Sequence, residues 1–164
     1  MAAVALAVAI VGCRPVPTGT LELRWHLPAG AGAGLDTVRI APEWAGANRG
    51  PIRDADWSRI PLTTDRVAFG LVPDATGTVA PVTVARGPLP AGRWDRVFVA
   101  APSVTARAPD GATIALTSHI EPIARGFDLP DGGRVTIDIE LIVLPAPSFV
   151  GPGWQIFVKD AVVR

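Results

Sequence analysis

The residues of this chain that could do chemistry are few. They are one cysteine, some close carboxylate pairs, two histidines and a set of tryptophans. Cys13 is the only thiol among 164 residues, so an internal disulfide and a cysteine-based zinc site are both excluded. Asp54 and Asp56 lie two apart in a long irregular stretch, and Asp138 and Glu140 share one face of an alternating segment. Paired acids can break a glycosidic bond, but only across a cleft at a set separation. Their ordinary role is a solvated surface. Asp128, Asp131 and the glycines after them faintly resemble a calcium loop but lack its alternating ligands and bidentate Glu, so a turn is expected. His119 and Glu121 stand as in a zinc deaminase, without the cysteine pair that chemistry needs. His26 falls on the polar face of the first strand. Ser118 adjoins His119, yet neighbours on a strand point to opposite faces and cannot pair. No nucleophile elbow and no phosphate-cradling glycine loop is present. We therefore expect no catalytic residue, no metal ligand set and no cofactor.

The tryptophans are Trp25, Trp44, Trp57, Trp94 and Trp154, against no tyrosine. Trp25 and Trp94 occupy strand positions and are expected inside. Trp44 and Trp57 flank the stretch that holds Asp54 and Asp56, among Arg49, Arg53 and Arg59. An exposed indole beside acids and guanidinium groups can stack a sugar ring. The alternative is that these rings close the open end of the fold.

Cys13 ends a distinctive segment. Ala2–Val11 is wholly apolar and too short to span a membrane, which takes roughly 20 residues. Its length suits a signal-peptide core. The residues Ile10-Val11-Gly12-Cys13 resemble a bacterial lipobox. That resemblance implies cleavage before Cys13 and lipidation of Cys13, with residues 1–12 as signal peptide. A signal peptide carries positive charge before its apolar run, and none stands here; a start further upstream would supply it. The alternative is an apolar first strand with a buried thiol. Residues 13–19, with Pro15 and Pro17, are expected to be a short tether.

Residues 20–164 are expected to form one domain. Lys+Arg and Asp+Glu both number 15, so no basic surplus is available for nucleic acid. Gly 17 and Pro 17 place a breaker about every five residues, which excludes long helices. Period-two alternation marks Leu21–Leu27, Thr37–Pro42, Arg66–Val72, Val79–Ala85, Arg93–Ala101 and Trp154–Val163 as strands. Pro109-Asp110-Gly111 predicts a hairpin turn between Val104–Arg107 and Ala112–Thr117. Arg134–Leu144 is the clearest strand, and Ile142 and Leu144 predict cover on both faces at its end. Ser118–Phe127 has room for one helical turn. Pro28–Asp36 and Glu43–Asp56 read as the long loops, and Pro81 marks an edge strand. The expected fold is all-β: an antiparallel sandwich of about eight or nine strands.

Several segments together resemble a bacterial family known only as a domain of unknown function, common in envelope lipoproteins. They are Gly19–Leu23, Leu35–Ile40, Asp56–Ile60, Leu89-Pro-Ala-Gly-Arg-Trp-Asp-Arg-Val97, and Phe127–Pro130 through Thr136–Ile139. The family has Asp-Ala-Pro after its first strand, where His26-Leu27-Pro28 stands here. The resemblance implies an immunoglobulin- or prealbumin-like sandwich at the cell envelope and brings no catalytic residues.

The resulting expectation is a non-catalytic, membrane-anchored envelope lipoprotein. Its partners would be membrane lipid through Cys13 and an envelope protein or polysaccharide. A carbohydrate-binding or adhesion module using Trp44, Trp57, Asp54 and Asp56 is the alternative, and a hydrolase using an acidic pair is the third. An exposed strand edge is a further place where a partner could add a strand.

Overall fold

Alternation along the chain becomes strands wherever one face can be buried. The computed structural model describes residues 15–28, 30–32, 34–50, 57–71, 80–147 and 153–164. Among the described residues there is no helix. The strands are β1 (Thr18–His26), β2 (Thr37–Ala41), β3 (Trp44–Asn48), β4 (Ser58–Ile60), β5 (Val67–Gly70), β6 (Val82–Pro90) and β7 (Gly92–Trp94). They continue with β8 (Arg96–Ala100), β9 (Ser103–Arg107), β10 (Thr113–His119), β11 (Phe127–Leu129), β12 (Arg134–Pro145) and β13 (Trp154–Val163).

Eight strands form one sheet in the order β5-β2-β9-β10-β13-β12-β1-β6. It curls into a nearly closed barrel. The all-β expectation holds, but the layering differs from two separate antiparallel sheets. Two pairings are parallel, β1 with β12 and β10 with β13, so the sheet is mixed. A second sheet, β4-β3-β8, has three strands, and β11 pairs with β7. Leu62, just after β4, bridges to Ala85 of β6 and so links the small sheet to the end of the large one.

One apolar core fills the space between. Leu21, Leu23 and Trp25 of β1 meet Ile137, Ile139 and Leu141 of β12 there. The small sheet adds Ala45, Ala47, Ile60, Val97 and Val99 to the same cluster. Trp25 and Trp94 are 0% and 2% exposed, as their strand positions predict. On β12 the buried positions alternate from Val135 to Val143. Double-sided cover at its end does not occur, because Leu144 is 43% exposed.

Two glycines permit close approach. A Cβ on Gly19 would lie 2.5 Å from the Pro130 carbonyl oxygen, and one on Gly87 would lie 2.5 Å from Cδ of Pro61. The second contact seats Pro61 and Leu62 against β6. Main-chain bonds Thr63 N to Val84 O and Arg86 N to Pro61 O then cover that edge. Pro81 directly precedes β6, an end strand of the large sheet, where a missing N–H is tolerated.

Several boundaries differ from expectation. Thr18 and Gly19, assigned to the tether, are already in β1, and Pro17 accepts a main-chain bond from Ala91. The stretch Glu43–Asp56 contains β3 rather than a continuous loop. Ser118 and His119 belong to β10, and Ile123 bridges to Val97, so no helical turn forms there. The hairpin between β9 and β10 forms as predicted: Gly111 has φ 86 and the Asp110 carboxylate accepts the Ala112 N–H at 2.9 Å.

The outward face of β1 and β12 is held by ions. Asp138 accepts two hydrogen bonds from Arg24, at 2.6 and 2.8 Å, and one from Arg164 at 2.6 Å. The Arg24 bonds hold its carboxyl below the usual carboxylate range, against the opposing effect of burial. The group is therefore charged in the folded state at a pH where the unfolded chain, with an Asp pKa near 3.9, is protonating. Its stabilisation is complete above about pH 5 and disappears as pH falls through the lower folded value. We expect Asp138→Asn to cost about 1–2 kcal/mol at pH 7. The wild-type and variant urea midpoints should converge on acidification; a gap that persists at pH 2 would refute this.

Candidate binding site

The outward face of the β4-β3-β8 sheet carries the aromatic residues singled out by the sequence. Inward positions of this sheet are Ala45, Ala47, Ile60, Val97 and Val99, all buried. Alternation sends Trp44 and Phe98 to the other side. Gly46 lies opposite both Phe98 of β8 and Arg59 of β4. A Cβ there would sit 3.4 Å from the Trp44 ring and 3.5 Å from Trp57. Its absence opens a slot into which three rings converge.

Trp44 and Trp57 meet edge to face at 5.8 Å, and Trp44 meets Phe98 the same way at 5.0 Å. Trp57 and Phe98 are tilted by 50° at 5.9 Å. Each such pair contributes about 0.5–1.5 kcal/mol beyond area burial. The Arg59 guanidinium covers one face of Trp44, 3.9 Å from the ring centroid. All three rings are half-buried. They form an angled cluster whose outer edges remain accessible, not a flat shared platform.

A groove of about 420 Å³ runs along the flank of this cluster. Phe98 lines it together with Glu43, Ala100, Thr117 and Ser118. Glu43 is an exposed residue whose main-chain N–H donates to the Ala100 carbonyl at 2.8 Å. One residue pair further along the same face, Asn48 and Arg96 stand opposite each other. Their Oδ1 and Nη1 atoms are buried and have no hydrogen-bond partner among the described residues. The arrangement offers ring edges, a carboxylate and hydroxyls, a combination able to hold a polar ligand with an apolar face.

Sequence reasoning placed Arg59 beside Trp44 and Trp57 and missed Phe98 and Glu43. Asp54, Asp56 and Cys13 lie outside the described residues. The other sequence candidates are spread over the surface. Glu140 pairs with Lys159 at 2.6 Å and Asp128 with Arg93 at 3.3 Å. His119 stacks on Phe157 at 4.9 Å. Among the described residues no three His, Cys, Asp or Glu side chains gather as a metal site. Trp94, buried elsewhere, donates from Nε1 to the Pro90 carbonyl at 3.1 Å and lies under Arg49 at 4.2 Å. The Leu89–Val97 segment is thus an architectural corner. Within the described residues no helix is long and apolar enough to cross a membrane.

No protein-family model and no curated protein matches the chain. Two solved structures show a remote likeness. One is a crystal structure of a candidate cell adhesion protein from Bacteroides ovatus, with 11% identity and a TM-score of 0.27; the match covers 88% of this chain and 44% of that one. The other is an NMR structure of a protein from Eubacterium rectale, with 12% identity, a TM-score of 0.22 and coverage of 88% and 90%. The chain thus spans less than half of the Bacteroides protein, and at these scores neither likeness carries an argument about its role.

Proposed function

We propose that this chain is a non-catalytic carbohydrate-binding domain, held at the bacterial cell envelope by lipid on Cys13. The observation that carries the binding reading is the half-exposed Trp44, Trp57 and Phe98 cluster beside a groove of about 420 Å³ with Glu43, Thr117 and Ser118. Carbohydrates present apolar ring faces and hydroxyls together, and this groove offers partners for both. The ion pairs of Asp138 and Glu140 support a structural role for the acids that a hydrolase would have used. The lipobox-like Ile10–Cys13 segment and the resemblance to an envelope-lipoprotein family support the anchor. The small sheet, sharing one core with the curled large sheet, supports reading the domain as an immunoglobulin- or prealbumin-like two-layer variant.

One experiment with two arms tests this. The full chain is expressed in a bacterial host and compared with Cys13→Ser by intact mass and membrane fractionation. An acylated mass beginning at Cys13, lost with membrane retention in the variant, is expected. A soluble chain that keeps Met1 would overturn the anchor. The purified proteins are then applied to a panel of neutral glycans. Trp44→Ala and Phe98→Ala should each weaken the strongest wild-type interaction about tenfold, from the loss of one or two aromatic contacts. Binding that is absent or indifferent to both changes would overturn the ligand face.

A further inference from the structure

The outward face of the large sheet is divided by charge. On the β13-β12-β1-β6 half, cations and acids neutralise each other: Arg24 and Arg164 with Asp138, Lys159 with Glu140, and Arg86 with Glu22. On the β5-β2-β9 half the inward residues are Val67, Phe69, Val38, Ile40, Val104 and Ala106, all buried. The outward positions hold only arginine, small and hydroxyl-bearing residues.

Register places the arginines in a line. Arg39 of β2 lies opposite Ala68 of β5 and Thr105 of β9. Val67 lies opposite Ile40, so Arg66, the next residue out, falls opposite Ala41. Arg107 lies opposite Thr37. Arg66, Arg39 and Arg107 therefore step diagonally, one strand over and two residues along each time. Such diagonal neighbours stand about 7–8 Å apart. A groove of about 480 Å³ is lined by Arg66, Arg39, Ser103 and Thr105. A smaller hollow of about 100 Å³ continues from Arg39 and Thr105 to Arg107 and Thr113. All three arginines are exposed, and among the described residues none is in an ion pair. Of the acids near the stripe, Asp65 directly precedes Arg66, Asp36 donates its main-chain N–H to the Arg107 carbonyl at 2.7 Å, and the Asp110 carboxylate accepts the Ala112 N–H.

We propose that this diagonal stripe binds a linear anionic polysaccharide bearing carboxylates on successive sugars. Guanidinium forks recognise carboxylates in bidentate fashion, and a row of them reads a row of charges. Thr37 and Thr105 flank the step from Arg39 to Arg107, and Ser103 lies opposite Ala41 at the side of the line, where sugar hydroxyls would fall. Ala41, Ala68 and Gly70 keep the floor low enough for a pyranose ring to lie against the sheet. A nucleic acid fits less well: the chain has a net charge of +0, and the stripe offers no aromatic side chain on which a base could stack. The stripe uses none of the residues of the aromatic site, so it stands or falls separately from the neutral-glycan reading.

The test is calorimetric titration of the full chain with polygalacturonate at low salt, with dextran as neutral control and oligothymidylate as a second polyanion. Polygalacturonate should bind with an affinity that falls as salt rises, whereas any dextran signal should be indifferent to salt and to the arginine changes. Arg39→Ala, at the centre of the stripe, should weaken binding about tenfold or more, for one charge-assisted pair lost. Arg39→Lys should fall between, keeping the charge and losing the fork. Replacing all three arginines with alanine should abolish binding while the thermal midpoint stays within about 3 °C, because the side chains are exposed. Trp44→Ala should leave this affinity unchanged. No binding of polygalacturonate, equal affinity in the triple variant, or tighter binding of oligothymidylate would each overturn the proposal.

Discussion

Trp25→Ala is expected to remove about 3–5 kcal/mol of stability, the usual loss when a large buried aromatic is truncated. Trp25 is 0% exposed, and it sits in β1 between Ile139 of β12 and Val82 of β6. A cavity there would touch both neighbouring strands, which cannot collapse without breaking register. The indole also carries a cost: its Nε1 is buried with no hydrogen-bond partner among the described residues. An orphaned donor costs about 1–3 kcal/mol. Trp25→Phe removes that donor while keeping most of the ring. It should therefore lose less than half of what Trp25→Ala loses. Urea midpoints of the two variants decide the matter. Equal losses would mean that the retained phenyl ring recovers none of the packing, which would overturn this account.

Gly19→Ala should cost about 1–3 kcal/mol despite adding only one methyl group. The added Cβ would meet the Pro130 carbonyl oxygen at 2.5 Å and Leu129 Cγ at 2.8 Å. The obstruction includes main chain, so it cannot rotate away. The same turn is pinned to β1 on both sides, by Gly132 N to Thr18 O and Thr20 N to Gly133 O. Displacing the turn would strain these bonds. A thermal midpoint within 1 °C of wild type, about the scatter of a small effect, would show that the turn yields freely.

Legibility in the sequence followed locality. Leu21–Leu27 and Arg134–Leu144 announced β1 and β12 because each alternates over one buried face. The β9–β10 hairpin was readable because Gly111 and Asp110 make its turn by themselves. β3 was invisible: Trp-Ala-Gly-Ala-Asn has no β-branched residue, and every position after Trp44 is buried, so no alternation exists. β6 runs past the expected Ala85 to Pro90, with Pro88 and Pro90 tolerated on an end strand of the sheet. The parallel β1–β12 pairing joins Leu21 to Val135, a separation that no local pattern encodes. For the aromatic site, residue type pointed to Trp44 and Trp57. Arg59 stood near them in sequence, whereas Phe98 joins them only through register, opposite Gly46. The arginine line needs the registers of three strands and could not be seen from one.

The entry of the chain into the fold has a mechanical consequence. The first described strand is β1, an interior strand of the large sheet, zipped to β6 on one edge and to β12 on the other. Tension applied from the N-terminal side along β1 loads both ladders in shear. Their bonds must then yield together rather than peel one at a time. A domain gripped at that end would resist extraction through an interior strand held on both edges.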